Sequence, residues 1–314
     1  MDRKIKLVFM GTPQFAVPFL TALIEDKDFD VVAVITQPDK PTGRKQIITP
    51  PPIKDLASDH EIEVLQPENL KNDTNTINRL KELNVDLSVV IAYGQIIPQE
   101  VLNIFRLGNI NVHPSILPKY RGASPIQNTI LHNDKVGGIT IMLMDEKMDH
   151  GPILAQQEMK LDGTETNESL HNKMSSDFGI DLLLSTIKQF LTGAIQEKEQ
   201  AHDKATYCKQ ISKDEAKINW TDNAENISAK IRAFYPWPIT WTKLDDKRVK
   251  IFPPIEIIDE KKSPGEIFEY NNKLAVSCQD KSIVISELQL EGKSKTTSED
   301  FVRGNSDIIG KQFK

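Results

Sequence analysis

Three side chains in this sequence stand where they could do acid–base and oxyanion chemistry. Residues 108–127, GNINVHPSILPKYRGASPIQ, leave an apolar strand through a turn at His113-Pro114. Asn111 and His113, two apart, therefore project from the same side of a strand end. An amide and an imidazole fixed there can donate hydrogen bonds to one developing oxyanion. Residues 144–157, MDEKMDHGPILAQQ, leave the next strand through a turn that carries Asp149 two residues before Gly151. A carboxylate beside His113 could hold the imidazole's orientation or itself accept a proton. Each motif also has a plain structural reading: Asn-x-His-Pro builds turns, and Asp149, like Asp145, suits an Asx turn.

For these groups to converge, a scaffold must bring two strand ends together. The first two hundred residues alternate β-branched runs with helix-like stretches, the pattern of a parallel sheet covered by helices. Strands are predicted at 6–10, 31–36, 86–92, 109–113 and 138–144, and helices at 13–25, 74–83, 98–105 and 123–132, with prolines near their starts. One long helix is predicted over 167–191, with Thr166 as its N-cap and Gly193 just past its end. In an open parallel sheet the carboxyl edge is where ligands bind. A polar stretch at 193–207 reads as a linker, and 1–207 is expected to fold alone. Short alternating segments follow at 238–243, 248–251, 265–269, 273–277 and 283–290, at the spacing of a small barrel. The predicted fold class is thus α/β: a Rossmann-like catalytic domain over 1–192, then a smaller C-terminal β-barrel, OB-like, over 208–314. The first strand ends in Gly11-Thr12-Pro13 and lacks G-x-G-x-x-G, which argues against a dinucleotide-dependent oxidoreductase.

Composition narrows the classes further. Of 314 residues 39% are hydrophobic and 27% charged, ordinary for a globular chain. No run approaches the roughly 20 apolar residues that cross a bilayer. The first residues, MDRKIKLVFM, carry no leader pattern, so a cytoplasmic location is expected. Cys208 and Cys278 are too few for a disulfide framework and lie far from histidines at ligand spacing, so no metal is expected. The net charge of −6 speaks against a nucleic-acid partner, yet residues 208–314 hold 18 Lys and Arg against 17 Asp and Glu. A nearly neutral segment can still present a basic face. The segment 37–54, QPDKPTGRKQIITPPPIK, is long for a connection and carries Lys40, Arg44, Lys45 and Lys54 against Asp39 alone. It suits either a binding loop or a solvated one. Phe234-Tyr235-Pro236-Trp237-Pro238 with Trp241 suits either core packing or a stacking platform.

Taken together, Asn111-x-His113 and Asp149-x-Gly151 resemble the formyltetrahydrofolate-dependent formyltransferases. VFMGTPQFAVPFL, TQPDKPTGR, IAYGQIIP, INVHPSILPKYRGASPIQ and AFYPWPITW extend the resemblance over essentially the whole chain, to the branch that acts on methionyl initiator tRNA. The resemblance implies 10-formyltetrahydrofolate as co-substrate and Asn111, His113 and Asp149 as the catalytic set. It implies folate contacts at Ser115, Ile116, Leu117 and Pro118, where the family's S-L-L-P is altered at Ile116. It implies that the 37–54 loop enters the tRNA acceptor stem, with an arginine at Arg44. Lys40 and Lys45 in that loop, and Lys209, Lys213, Arg248 and Lys250 in the C-terminal domain, are candidate tRNA contacts. A monomer without membrane attachment is expected. The alternative is a related formyltransferase acting on a small amine, a glycinamide ribonucleotide or a nucleotide amino sugar. That alternative would share the catalytic set but not the basic loop or the C-terminal domain.

Overall fold

In a computed structural model that describes residues 3–43 and 45–314, the chain divides into two compact units. One comprises residues 1–122, 138–158 and 171–207, the other 123–137, 159–170 and 208–314. Arg44 lies outside the described residues.

The strands of the first two hundred residues are β1 (Ile5–Gly11), β2 (Phe29–Ile35), β3 (Lys40–Thr42), β4 (Ile47–Thr49), β5 (Glu63–Leu65), β6 (Leu87–Ile91), β7 (Asn109–His113), β8 (Arg121–Gly122), β9 (Val136–Leu143) and β10 (Ile153–Lys160). Tyr207–Cys208 adds β11, which pairs with β8. Seven strands form one sheet in the order β10-β9-β7-β6-β1-β2-β5, and β3 and β4 form a separate hairpin. β1 lies between β2 and β6, and its apolar run is buried almost throughout, as a strand covered on both faces requires. The helices are α1 (Val17–Glu25), α2 (Pro52–Asp59), α3 (Thr74–Leu83), α4 (Gln99–Leu102), α5 (Pro125–Leu131), α6 (Asn167–Met174) and α7 (Asp177–Leu191). Asp73 caps α3 by accepting from Thr76 N, and Asn84 ends it in the left-handed region at φ 49°.

Two sequence expectations need correction. The parallel order holds from β2 through β1 and β6 to β7, but β9 runs antiparallel to β7, with His113 opposite Thr140 and Ile110 opposite Leu143. A parallel return needs a crossover to the opposite edge, whereas the chain after His113 re-enters from the edge it left. The predicted helix over 167–191 is two helices. Ser175 and Ser176 bond through their hydroxyls to His171 O and Lys173 O, and Ser176 is extended, so side chains that compete with the backbone break the run.

The second unit contains α8 (Ala224–Ala233) and an antiparallel sheet in the order β12 (Trp241–Leu244), β13 (Lys247–Ile258), β16 (Ser282–Leu290), β15 (Lys273–Ser277), β14 (Ile267–Tyr270), with β17 (Thr296–Thr297) on β16 and α9 (Ser298–Gly304) following. Ile227, Ile231, Val249, Ile251, Leu274 and Ile285 are among the apolar side chains of its core. Residues 311–314 bridge the two edges, bonding to Lys243 on one side and to Gly265 and Ile267 on the other. The result is a small barrel. Its fully buried Cys278 has its thiol pushed up to about 12 by desolvation, which makes it inert. Helix α5 packs on α8, and Arg232 reaches Asn133 Oδ1 and Glu165 O, each at 3.0 Å. A cut at 207 would strip these segments of the partners they pack on.

The start of β6 is anchored by one buried carboxylate. Asp86 accepts from Lys6 N at 3.0 Å, Arg3 at 2.8 Å and Arg106 at 2.6 Å. Desolvation alone would raise its pKa, but the Lys6 amide and the two guanidiniums outweigh it and hold the carboxyl below its ordinary value. Asp86→Asn is expected to lower stability by about 1–3 kcal/mol at neutral pH. Because the folded value lies below the unfolded one of about 3.9, this contribution is complete above that pH and is lost as pH falls through the folded value. Tm values of wild type and variant, measured from pH 7 down to 3, should therefore converge in acid; a constant gap would remove Asp86 ionisation as the cause.

Candidate active site

Strand β7 ends at the carboxyl edge of the parallel strands, and the alternation of a strand places Asn111 and His113 on one face. The connection 144–152 runs back along β7, so that Asp149 Oδ1 lies 3.6 Å from His113 Nδ1. The structure thus brings together the three residues singled out in the sequence. Asp149 sits at φ 50°, and a side chain at Gly151 would run into Leu143 O at 2.1 Å, so the Asp-x-Gly turn has a packing reason.

Residues 120–122 lie across both partners. His113 Nε2 is 3.0 Å from Tyr120 O, and Gly122 N donates to Asp149 Oδ2 at 2.7 Å. A carbonyl can only accept, so Nε2 carries its hydrogen and Nδ1 faces the carboxylate. Asn111 differs, since its side-chain amide forms no hydrogen bond among the described residues and is not sealed from solvent. Of the three, Asn111 alone presents a free donor. His113 can serve a substrate oxygen only by exchanging Tyr120 O for it, a readjustment common when a site fills.

The 115–118 segment is pinned from beneath. Thr140 Oγ1 accepts from Leu117 N at 3.0 Å and Gln156 Nε2 at 2.8 Å and donates to Ser115 O at 2.7 Å, the full capacity of a hydroxyl. Ser115 and Leu117 are turned inward, Leu117 against Met142 and Ile153, whereas Ile116 and Pro118 remain half-buried and open to a ligand. Thr140 and Gln156 carried no sequence signal, because their role depends on the β7–β9 register.

The segment read as a linker belongs to this site. Lys198 pairs with Ile153 through both backbone bonds, and Gln200, 5% exposed, donates to Asp149 O at 3.0 Å and Gly151 O at 2.7 Å. Arg121 and Gln200 were both passed over in the sequence, where a lone Gln in a polar stretch gives no hint of burial.

The basic 37–54 loop contains the β3–β4 hairpin. Both of its strands are exposed, with Ile47 61% and Ile48 62% open to solvent. At its base Lys54 Nζ bonds to both oxygens of Asp39, at 2.9 and 2.8 Å, and Gln66 Nε2 donates to Asp39 Oδ1 at 2.7 Å. Lys54 is therefore a clamp and not a free cation. Lys40 bonds Gln37 at 3.1 Å, and Lys45 is exposed.

In the second unit, Trp241 opposes Lys250 and Lys243 opposes Arg248 across β12 and β13, so all four share the outer face. The Arg248 guanidinium lies 4.1 Å from the Trp241 ring centroid, and Trp241 Nε1 is 3.5 Å from Lys213 O. Two of the four candidate cations, Arg248 and Lys250, with Lys243 added, thus share a face with one half-exposed indole, while Lys213 meets it through its backbone carbonyl. Lys209 is exposed, and its backbone carbonyl accepts from Ser124 Oγ. In the neighbouring aromatic stretch Phe234 is core and Trp237 is 48% exposed.

Among the described residues no helix is long and apolar enough to cross a membrane, and no cluster of His, Cys, Asp and Glu could hold a metal ion.

Comparison with known proteins agrees with this geometry. Residues 3–187 match the formyl transferase family model, and residues 210–306 match that of the formyl transferase C-terminal domain. The chain is 41% identical to the methionyl-tRNA formyltransferase of Thermodesulfovibrio yellowstonii, over 95% of each chain. It resembles in fold the N-formyltransferase of Helicobacter canadensis solved with folinic acid and dTDP-3-aminofucose, at TM-score 0.67 and 20% identity, covering 90% of this chain and 98% of that one. It also resembles HypX of Aquifex aeolicus at TM-score 0.63 and 16% identity, where it spans 97% of itself but only 49% of that longer chain.

Proposed function

The chain belongs to the formyl transferase family, and from that premise we infer that it moves the formyl group of 10-formyltetrahydrofolate onto the α-amino group of methionine carried by initiator tRNA. The observation that carries this reading is likeness to a methionyl-tRNA formyltransferase along both the sheet-bearing region and the barrel. A small-amine formyltransferase would need neither an exposed basic hairpin nor the Trp241 face. The product supplies translation initiation, and we place the enzyme in the cytoplasm, acting as a monomer.

Formyl transfer to an amine passes through a tetrahedral carbon bearing an oxyanion, so donors already in place at that oxygen are the main lever. Asn111, the free amide, donates to it. His113 releases Tyr120 O to donate from Nε2 and passes a proton to the departing folate nitrogen. The attacking amine must be neutral, although an α-amino group titrates near ~8. Asp149 keeps lone pairs beyond the one given to Gly122 N, takes the proton that the amine loses, and passes it to the facing His113 Nδ1 as Nε2 gives up its own, so the imidazole ends neutral. Ile116 and Pro118, open beside His113, suit the folate; Ser115 and Leu117 act by shaping the backbone. Lys40, Arg44 and Lys45 of the 37–54 segment, Lys243, Arg248 and Lys250 on the Trp241 face, and Lys213 and Lys209 are assigned to the tRNA. We keep 1–192 as the catalytic domain and 208–314 as the tRNA-binding domain.

The direct test supplies purified protein with 10-formyltetrahydrofolate and methionyl initiator tRNA, and scores formylmethionyl-tRNA. Free methionine and elongator methionyl-tRNA should be poor acceptors. Turnover of a glycinamide ribonucleotide or a nucleotide amino sugar, with none on the tRNA, would establish the alternative.

A further inference from the structure

Among the described residues Arg121 is the largest fully buried side chain, 2% exposed, and nothing in the reaction calls for a buried guanidinium at that position. Its hydrogen bonds show where its influence goes. Nε and Nη2 donate to Gln200 Oε1 at 3.2 and 2.7 Å, and Nη2 also donates to His202 Nδ1 at 2.9 Å. The amide of Gln200 can then face only one way. Its oxygen is taken by a group that has donors alone, and its two N–H bonds reach two groups that can only accept, Asp149 O and Gly151 O. The two carbonyls flank His150, so the pair of bonds grips the turn from which the Asp149 carboxylate projects. That grip has work to do, because Asp149 holds a left-handed φ of 50° that a non-glycine residue leaves when released. The strap carrying Gln200 is itself fixed at both sides, by the Lys198–Ile153 backbone pair and by Arg121 N and Tyr120 N bonding to Thr206.

We propose that Gln200, locked by Arg121, is a positioning residue for Asp149: it sets the backbone of the 149–151 turn so that the carboxylate reaches His113 and Gly122. The inference rests on the reading of Asp149 as a participant in formyl transfer. It goes beyond that reading by assigning a role to two residues that touch neither substrate.

Gln200→Ala and Gln200→Glu, each made in the wild-type and Asp149→Asn backgrounds, test the proposal on the full chain. The readouts are kcat, KM for 10-formyltetrahydrofolate and for methionyl initiator tRNA, and Tm. In the wild-type background Gln200→Ala should lower kcat by about 10–100-fold, the usual cost of losing a group that orients a reacting one, with both KM values within about threefold. Gln200→Glu keeps an acceptor for Arg121 but sets an oxygen against the carbonyls of Asp149 and Gly151, and should lose at least as much. In the Asp149→Asn background neither change should cost more than about twofold, because the group being positioned is already disabled. If Gln200→Ala does not fold, Gln200→Glu, which preserves the partner of Arg121, carries the same comparison. Equal losses in both backgrounds, or full turnover by Gln200→Glu, would overturn the proposal and leave Asp149 in its role. Normal turnover by Asp149→Asn alone would instead overturn the reading of Asp149, and with it this inference.

Discussion

Asn111→Ala, His113→Ala and Asp149→Asn, made singly, are each expected to lower kcat by about 10²–10³-fold, the cost of losing one preorganised donor or its partner. KM for both substrates should stay near wild type, since these groups act on charge that develops only in the transition state. Asn111→Ala is the cleanest of the three. Its amide has no partner among the described residues, so its removal strands nothing and Tm should barely move. His113→Ala leaves Tyr120 O and Asp149 without their neighbour and should cost some stability as well. Single-turnover formylation with preloaded folate isolates the chemical step. Near-normal turnover in any one variant would take that residue out of the mechanism.

The second large effect is expected at the hairpin. Replacing residues 41–48 with Gly-Gly should leave Tm and folate binding unchanged, because β3 and β4 are exposed throughout and bury nothing of the core. Formylation of tRNA should fall by about 10²-fold in kcat/KM. Arg44→Ala should act more selectively. If the hairpin senses how easily the end of the acceptor stem opens, it reads deformability and not base edges, and discrimination between initiator tRNAs with a mismatched or a paired first base pair should narrow by about 10-fold. Raised salt should weaken both tRNAs alike, since the cations around Trp241 remain. An unchanged preference ratio in Arg44→Ala would move specificity to the barrel.

Where chemistry and strand pattern coincide, the sequence was legible. The His113-Pro114 turn and the Asp149-x-Gly151 turn each announce themselves in a few residues, and the five predicted sheet strands fell close to their places, while the edge strands β5 and β10 were not among them. What escaped reading depends on long-range register. Thr140 reaches Leu117 and Ser115 only because β9 runs antiparallel to β7, and no local pattern distinguishes that edge from a parallel one. Gln200 lies in a stretch whose composition is that of a linker, and its burial follows from the partner it finds on Arg121. The α6–α7 break was missed for the opposite reason: Leu170 and Met174, four apart and both buried, suit one continuous helix, but Ser175 and Ser176 override that pattern locally. In the loop, counting charges overstated the free cations, because Lys54 is spent on Asp39.

That last pair bears on the thermodynamics of recognition. With Asp39, Lys54 and Gln66 tying the two ends of the hairpin together, β3 and β4 are already in register before any partner arrives. Much of the chain entropy that a floppy loop would surrender on docking has therefore been surrendered during folding. If the hairpin docks on the tRNA, as proposed, it does so with a smaller entropic penalty than its length suggests, and any change that unties its base should appear in calorimetry as a less favourable binding entropy.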